Sequence, residues 1–227
     1  MARPWQTLDR SETSDGMLEL RQRGDRDFLI LINGRVLMNS SASRSELALG
    51  ELPCRTLASR PRPRVLIGGL GMALTLRAAL DALPRSAQVV VAELNPVIVS
   101  WCRGPLAALT GMAVGDERVT VLNGDVAEVI AAAARPGAEK YDAVIIDLYE
   151  GPGSGTGPQN DPCYGSRALR RTADALTADG LFAVWGEQPD AAFEKRLGAA
   201  GFSFERQRPG RGGMRHVVYV AQKRPER

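Results

Sequence analysis

Histidine, cysteine and lysine are all scarce in this chain. Its 227 residues contain one histidine, three cysteines and three lysines. Cys54, Cys102 and Cys163 are widely spaced and form no Cys-x-x-Cys pair, which excludes the common zinc frameworks and argues against a disulfide scaffold, so no metal site is expected. The single histidine, His216, lies in the strand-like segment MRHVVYVAQ and is interpreted as a sheet residue. Hydrolase chemistry that needs a Ser-His or Cys-His pair is therefore not favoured.

Long apolar runs are also missing. No segment approaches the roughly 20 apolar residues that would cross a bilayer. The first residues, MARPWQTLDRSETSDG, lack the apolar core of a signal peptide, so we expect a cytoplasmic protein without a membrane partner. The net charge is +3, but acidic residues are interleaved with the arginines, which argues against a nucleic-acid-binding face.

The pattern of predicted strands and helices changes near residue 63. Before it, MLELRQRGD and RDFLILINGRVLMNS have the character of short strands, with Asn33-Gly34 as a hairpin turn. The segment SRSELALGELPCRTLAS then has helical spacing. We therefore predict a small N-terminal β-hairpin extension with a following helix over residues 1–60, and a larger domain over residues 61–227.

From Arg64 onward, apolar strand segments alternate with helical ones. The strand segments are RVLIGG, QVVVAEL, VTVLNGD, YDAVIIDLY and GLFAVWGE. Among the helical segments, NPVIVSWCRGPLAAL begins at Asn95-Pro96, and SRALRRTADALTADG is predicted to end at Gly180. The chain then closes with FSFERQR and HVVYVAQK, joined by a turn at Pro209-Gly210. This predicts an α/β fold: a doubly wound, mostly parallel seven-stranded sheet of order 3-2-1-4-5-7-6 with the last strand antiparallel, an ending typical of class I methyltransferases.

Three of the predicted strands end in residues suited to an adenosine ligand. Gly68, Gly69 and Gly71 form the first strand-to-helix loop, where glycines let a ligand approach backbone N–H groups. Glu93, two residues before Asn95, can accept hydrogen bonds from both ribose hydroxyls. Gly124-Asp125 ends the third strand, where Asp125 can accept from adenine, cap the next helix, or do both. The ribose of a nicotinamide cofactor would bind to Glu93 in the same way, so a dehydrogenase stays an alternative.

Asp147 interrupts the apolar strand VIIDLY at its carboxyl end. In this topology the first and fourth strands flank the point where the connections reverse, so Gly71 and Asp147 are predicted to face one another across a ligand crevice. A helix-capping role for Asp147 is the alternative. Tyr149 and Glu150 follow on the same rim.

Two further features border this predicted crevice. The glycine-rich and proline-rich loop of residues 151–162 is either a lid or a passive insert. Trp185 and Glu187 end the fifth strand, where Trp185 is either a wall residue or a stacking surface.

Taken together, RVLIGGLGMALTLRAAL, VVVAELNPVIVSWCRG, VTVLNGDVAEVI and YDAVIIDLYEGP resemble the successive motifs of the spermidine synthase (polyamine aminopropyltransferase) family. The resemblance extends back into FLILINGRVLMNSSASRSELALGEL and covers residues 17–190. It implies the methyltransferase fold, decarboxylated S-adenosylmethionine as ligand, and a homodimer. It also implies that Gly69 and Gly71 cradle the ligand, Glu93 binds ribose, Asp125 binds adenine, and Asp147 orients or deprotonates an attacking amine.

The chain also departs from that family's pattern. Met72 stands in place of an aspartate of the glycine loop, the family's Tyr-His-Glu segment has no counterpart in LALGEL, and its Asp-Ser-x-Asp-Pro run is Asp147-Leu148-Tyr149-Glu150-Gly151-Pro152 here. We therefore expect S-adenosylmethionine-dependent methyl transfer to a small-molecule nucleophile, with aminopropyl transfer to an amine as the alternative. A non-catalytic adenosine-nucleotide-binding module is the alternative from another class. The expected catalytic residues are Asp147, Glu150 and Tyr149, and the expected cofactor-binding residues are Gly68, Gly69, Gly71, Glu93, Asn95, Gly124, Asp125 and Asp147.

Overall fold

The computed structural model describes residues 3–152, 161–210 and 216–225, which form two sheets. The first is a four-stranded antiparallel sheet in chain order. Its strands are β1 (Gln6–Thr13), β2 (Gly16–Arg23), β3 (Asp27–Ile32) and β4 (Arg35–Asn39). Asn33 and Gly34 join β3 to β4 with φ angles of 48° and 79°. This is the conformation that an Asn-Gly hairpin requires, so that prediction is confirmed.

In place of the expected N-terminal hairpin, the structure has this four-stranded sheet, whose first strand, β1, the sequence does not predict. The sequence of β1, QTLDRSET, is exposed along nearly its whole length, so it carries no alternation of apolar and polar residues to mark it as a strand. Besides its pairing with β2, this strand contacts α3: the buried indole of Trp101 donates a hydrogen bond to Oδ2 of Asp9 at 2.7 Å.

The second sheet confirms the predicted topology. Its seven strands lie in the order β7-β6-β5-β8-β9-β11-β10, which is 3-2-1-4-5-7-6 in the order of their appearance, and β11 is antiparallel to both neighbours. The strands are β5 (Arg64–Gly68), β6 (Gln88–Glu93), β7 (Val119–Asn123), β8 (Tyr141–Ile146), β9 (Leu176–Gly186), β10 (Phe202–Gln207) and β11 (Val217–Lys223). The helices are α1 (Arg44–Thr56), α2 (Leu74–Ala82), α3 (Pro96–Arg103), α4 (Val126–Ala133), α5 (Ser166–Ala175) and α6 (Ala191–Ala199).

Helices cover both faces of this sheet. One apolar cluster joins Ala143 and Ile145 of β8 to the side chains of α1, α2 and α3 and to the N-terminal sheet. The opposite cluster joins Val144 and Ile146 to α4, α5 and α6. Strands buried on both faces need apolar side chains at every position, which explains the uninterrupted apolar run of β8.

Two predicted helix ends are wrong. The helix α5 ends at Ala175, and Gly180 lies inside β9, because Leu176 already pairs with Tyr141 of β8. The next pair joins Ala143 to Leu181, so the residues between Leu176 and Leu181, including Gly180, form a bulge. The helix α3 ends at Arg103, and two short 3₁₀ helices, Ala107–Thr110 and Ala113–Gly115, follow the Gly104-Pro105 break.

No helix in the described parts of the chain has the length and apolar character needed to cross a membrane. The division into domains at residues 60 and 61 stays a prediction.

Candidate active site

A cavity of about 320 Å³ lies at the carboxyl ends of β5, β6 and β8, and the N-terminal sheet forms its opposite wall. It brings together most of the residues that the sequence predicts for a site. Those that line it are Gly69, Gly71, Glu93, Asn95, Gly124, Asp125, Asp147 and Tyr149, with Trp185 beside them. Gly71 and Asp147, which were predicted to face one another across a crevice, both line this cavity.

Three of the predicted residues lie elsewhere. Gly68 is buried beneath the cavity, where an added Cβ would meet Val126 and Ile146, so it serves close packing. Glu150 and Glu187 are exposed and do not line the cavity. In the loop predicted as a lid or insert, residues 153–160 lie outside the described part of the chain, while Pro162 lines the cavity.

At Gly69 and Gly71 the backbone lies so close to neighbouring atoms that a side chain would not fit. Gly69 has φ 87°, and a Cβ there would lie 2.3 Å from the main-chain oxygen of Asp147. Gly71 has φ 50°, and a Cβ there would lie 2.9 Å from Sδ of Met38. The glycines are therefore needed by the protein's own packing as well as by any ligand.

Glu93 is buried at the end of β6 and is fixed by two backbone donors. Its Oε2 accepts from the amide of Leu70 and its Oε1 from the amide of Asn95, each at 2.8 Å. Burial raises the pKa of Glu93, while these backbone donors act in the opposite direction. Because each carboxylate oxygen has two lone pairs, both can still accept from ligand hydroxyls.

Asp125 caps α4, since its Oδ1 accepts from the amide of Ala127 at 2.8 Å. The capping interpretation is confirmed, and contact with adenine stays a prediction. Asn95 occupies the corresponding position before α3 but makes no capping bond with its side chain.

Asp147 lies immediately after β8, where its carboxylate is partly buried. The hydroxyl of Thr75, in the first turn of α2, donates to Oδ2 of Asp147 at 2.6 Å. Burial raises the pKa of Asp147 to about 7, with the Thr75 bond lowering it and the charge of Glu46 raising it further. A carboxyl group with such a pKa can accept a proton near neutral pH.

Glu46 is a site residue that the sequence reasoning missed. It lies in the first turn of α1, is 9% exposed, and lines the cavity near Asp147. The segment Ser43-Arg44-Ser45-Glu46 has the spacing of a helix capping box, which assigns the glutamate to the helix end. In the structure Ser43 makes no capping bond with its side chain, and the Glu46 carboxylate accepts from Ser45.

The charged residues of the cavity wall all have the same sign. Among the described residues, the charged residues that line it are Asp15, Glu46, Glu93, Asp125 and Asp147. Apolar side chains of the N-terminal sheet complete the wall, including Leu18, Ile30, Ile32, Leu37 and Met38. A ligand with an apolar part and positive charges fits this combination.

Solved structures with the same fold identify the architecture. The chain has the class I methyltransferase fold, which it shares with the human methyltransferase-like protein 13 solved in complex with SAH, at TM-score 0.57 and 22% identity over 82% of each chain. The agreement is greater with the spermidine synthase of Thermotoga maritima, at TM-score 0.75 and 16% identity over 97% of this chain and 74% of that one. A spermidine synthase solved with the transition-state analogue AdoDATO gives 0.74 and 17% over 97% and 73%. Identities this low establish the fold alone.

One sequence similarity points in the same direction. The chain is 28% identical over 134 residues to the polyamine aminopropyltransferase of Clostridium tetani (strain Massachusetts / E88), covering 59% of this chain and 44% of that protein. The matched part thus spans less than half the length of the curated relative. No protein-family model matches the sequence. The resemblance that the motifs indicated is confirmed.

Proposed function

We propose that this protein is an aminopropyltransferase that moves the aminopropyl group of decarboxylated S-adenosylmethionine to an amine. The observation that carries the proposal is the charge of the cavity, whose charged lining residues in the described chain are all acidic. Decarboxylated S-adenosylmethionine carries a sulfonium and an ammonium group but no carboxylate. Both it and an amine acceptor are therefore attracted by this lining.

The chain's own residues suit the adenosine half of such a donor. Gly69 and Gly71 leave the backbone open to a ligand, and Glu93 is fixed with lone pairs available for two ribose hydroxyls. Asp125 lies at the same rim, where the carboxylate oxygen that does not cap α4 can accept from an adenine amine.

Asp147 is the proposed base. The nitrogen of the acceptor attacks the methylene carbon bonded to sulfur, the new C–N bond forms as the C–S bond breaks, and sulfur keeps the electron pair. The acceptor enters as an ammonium ion, and its nitrogen first gives one proton to Asp147, which frees the electron pair that makes this attack. The raised pKa suits Asp147 to this role near neutrality, and positioning of the two reactants supplies much of the remaining rate enhancement.

Methyl transfer from S-adenosylmethionine, the main expectation from the sequence, has less support. That donor carries a carboxylate, which would enter a cavity whose charged residues repel it. The similarity to a polyamine aminopropyltransferase supports the alternative instead. Tyr149 lines the cavity, whereas Glu150 is exposed and does not line it, and the catalytic roles of both residues stay predictions. The cytoplasmic location and the homodimer stay predictions.

The test is a comparison of donors. The protein is incubated with decarboxylated S-adenosylmethionine and 1,4-diaminobutane, and separately with S-adenosylmethionine and the same amine, and the thioether product is identified by mass spectrometry. We expect 5′-methylthioadenosine from the first mixture and little S-adenosylhomocysteine from the second. The reverse outcome would restore methyl transfer, and binding of both donors without any product would support a non-catalytic module.

The variant Asp147→Asn separates chemistry from binding in the same assay. It should bind 5′-methylthioadenosine but lose at least about 100-fold in turnover, within the usual contribution of general base catalysis. Asp174→Asn, the same change at an exposed position of α5, is the matched control.

A further inference from the structure

The lone histidine lies beside the cavity, at a position that the proposed reaction does not use. His216 immediately precedes β11, and its ring lies 4.8 Å from that of Trp185, edge to face. Its Nδ1 is 3.2 Å from Oγ of Ser45, the second residue of α1. Three elements distant in sequence therefore meet at the hydroxyl of one serine.

The direction of each hydrogen bond of Ser45 follows from the chemistry of its partners. Its Oγ lies 2.7 Å from Oε2 of Glu46 and 3.2 Å from Nε1 of Trp185. An indole nitrogen can only donate and a carboxylate can only accept, so Trp185 donates to Ser45, and Ser45 donates its single proton to Glu46. The remaining lone pair of Oγ is then available to a donor, and Nδ1 of His216 fills it when that nitrogen carries the proton.

We propose that His216 is a positioning residue that acts through Ser45 to hold the Glu46 carboxylate towards the acceptor amine. With Nδ1 protonated, His216 and Trp185 saturate the lone pairs of the serine and direct its proton to Glu46. The inference rests on the proposed aminopropyl transfer and extends it, because it assigns acceptor binding to residues outside the catalytic Asp147.

Because Ser45 and Glu46 are buried, the loss of one hydrogen bond is expected to change the position of the Glu46 carboxylate. Ser45 is 5% exposed and Glu46 is 9% exposed, so water cannot readily replace a lost partner. An acceptor ammonium would contact Glu46 next to Asp147. The hydroxyl of Thr75 connects the two residues, because it bonds to Asp147 and lies 3.1 Å from the main-chain oxygen of Glu46. A Glu46 side chain that turned away would leave the acceptor with one carboxylate instead of two.

The test compares three substitutions. His216→Phe keeps the ring but removes the donor, and His216→Asn returns an amide N–H near the position of Nδ1. Ser45→Ala removes the link itself, and Ser43→Ala is its matched control, because Ser43 makes no side-chain capping bond in the same helix. Steady-state kinetics with 1,4-diaminobutane and decarboxylated S-adenosylmethionine give KM and kcat for each substrate, and calorimetry gives the affinity for 5′-methylthioadenosine.

We expect the amine KM to rise about tenfold in Ser45→Ala and about threefold to fivefold in His216→Phe, with His216→Asn restored to within about twofold; tenfold corresponds to about 1.4 kcal/mol. The affinity for 5′-methylthioadenosine and the KM of the donor should stay unchanged, which a general structural defect would not allow. An unchanged amine KM in both Ser45→Ala and His216→Phe overturns the inference while leaving the proposed function intact.

A crystal structure of His216→Phe supplies a readout independent of turnover. The inference predicts that the Glu46 carboxylate leaves its wild-type position at the cavity wall. If the wild-type protein shows no amine-dependent turnover, the proposed function fails, and an undisplaced Glu46 in the variant then rejects the positioning role separately.

Discussion

The hydroxyl of Thr75 lies 2.6 Å from Oδ2 of Asp147, and it has only one proton to donate. The same oxygen is 3.1 Å from the main-chain oxygen of Glu46. When Asp147 is ionised, Thr75 can donate to it. When Asp147 is protonated, the carboxyl can donate to Thr75, which then donates to the oxygen of Glu46. The helix α2 thus supports both protonation states of the proposed base.

We predict that Thr75→Val shifts the pH dependence of turnover to higher pH. The Thr75 bond lowers the pKa of Asp147 against the larger effect of burial, so its removal raises that pKa further. The measurement is kcat/KM against pH for the wild type and the variant. Thr172→Val is the matched control, because Thr172 is equally buried but donates to Ala168 of its own helix. An acidic limb at the same pH in Thr75→Val and wild type would contradict the assignment.

Turnover should decline below about pH 7 in the wild-type protein. Asp147, with a pKa of about 7, is protonated at lower pH and cannot accept a proton from the amine. The acceptor amine also titrates, so the contribution of Asp147 is obtained by comparison with the residual activity of Asp147→Asn. If both proteins show the same profile, Asp147 is not the base.

Stability should respond to pH in a related way. Because the folded-state pKa of about 7 lies above the ordinary value of 3.8, the folded protein holds a proton that the unfolded chain releases between these values. The stability provided by this group is therefore present below about pH 4 and is lost as the pH rises to about 7. Denaturant unfolding at pH 5 and pH 8 should show a smaller decrease for Asp147→Asn than for the wild type, and equal decreases would contradict the raised pKa.

Glu93→Gln should weaken the binding of the adenosine moiety. Both carboxylate oxygens accept from backbone amides, of Leu70 and Asn95, and a glutamine amide nitrogen cannot replace one of those acceptors. We expect the affinity for 5′-methylthioadenosine to fall about tenfold or more, with a loss of about 1–3 kcal/mol in unfolding free energy from the unsatisfied donor. Calorimetry and denaturant unfolding measure the two effects. Glu128→Gln, at an exposed position of α4, is the control and should change neither.

The sheet could be predicted because its central strands are buried on both faces. Continuous apolar segments such as that of β8 are visible without any knowledge of their neighbours, and the final pair of strands without a helix between them fixes the topology. The exposed strand β1 has no such pattern and was missed. Gly180 was misassigned because a glycine that ends a helix and a glycine in a bulge have the same local sequence.

Residues of the candidate site could be predicted only where their position at the end of a strand brings them to the cavity. Glu93, Asp125 and Asp147 each lie at, or shortly after, the carboxyl end of a strand of the parallel sheet, so the topology alone brings them to one edge. Glu46 reaches the cavity, and Ser45 contacts it and Trp185, through the packing of α1 on the sheet, which is a long-range contact that no local pattern encodes. The role of His216 likewise depends on where β11 begins relative to Trp185.

Gly69→Ala should disturb both folding and the position of Asp147. The φ of 87° is unfavourable for alanine, and the new Cβ would lie 2.3 Å from the main-chain oxygen of Asp147, so the backbone of β5 or β8 must shift. The strained dihedral alone costs about 1–3 kcal/mol, and we expect a lower denaturation midpoint together with at least about a tenfold loss of turnover. Gly115→Ala is the matched control, because Gly115 is exposed, has no positive φ, and would place its Cβ where no atom lies within 4 Å. If Gly69→Ala matched that control in both stability and turnover, the close approach of the glycine loop to Asp147 could not be what sets the geometry of the base.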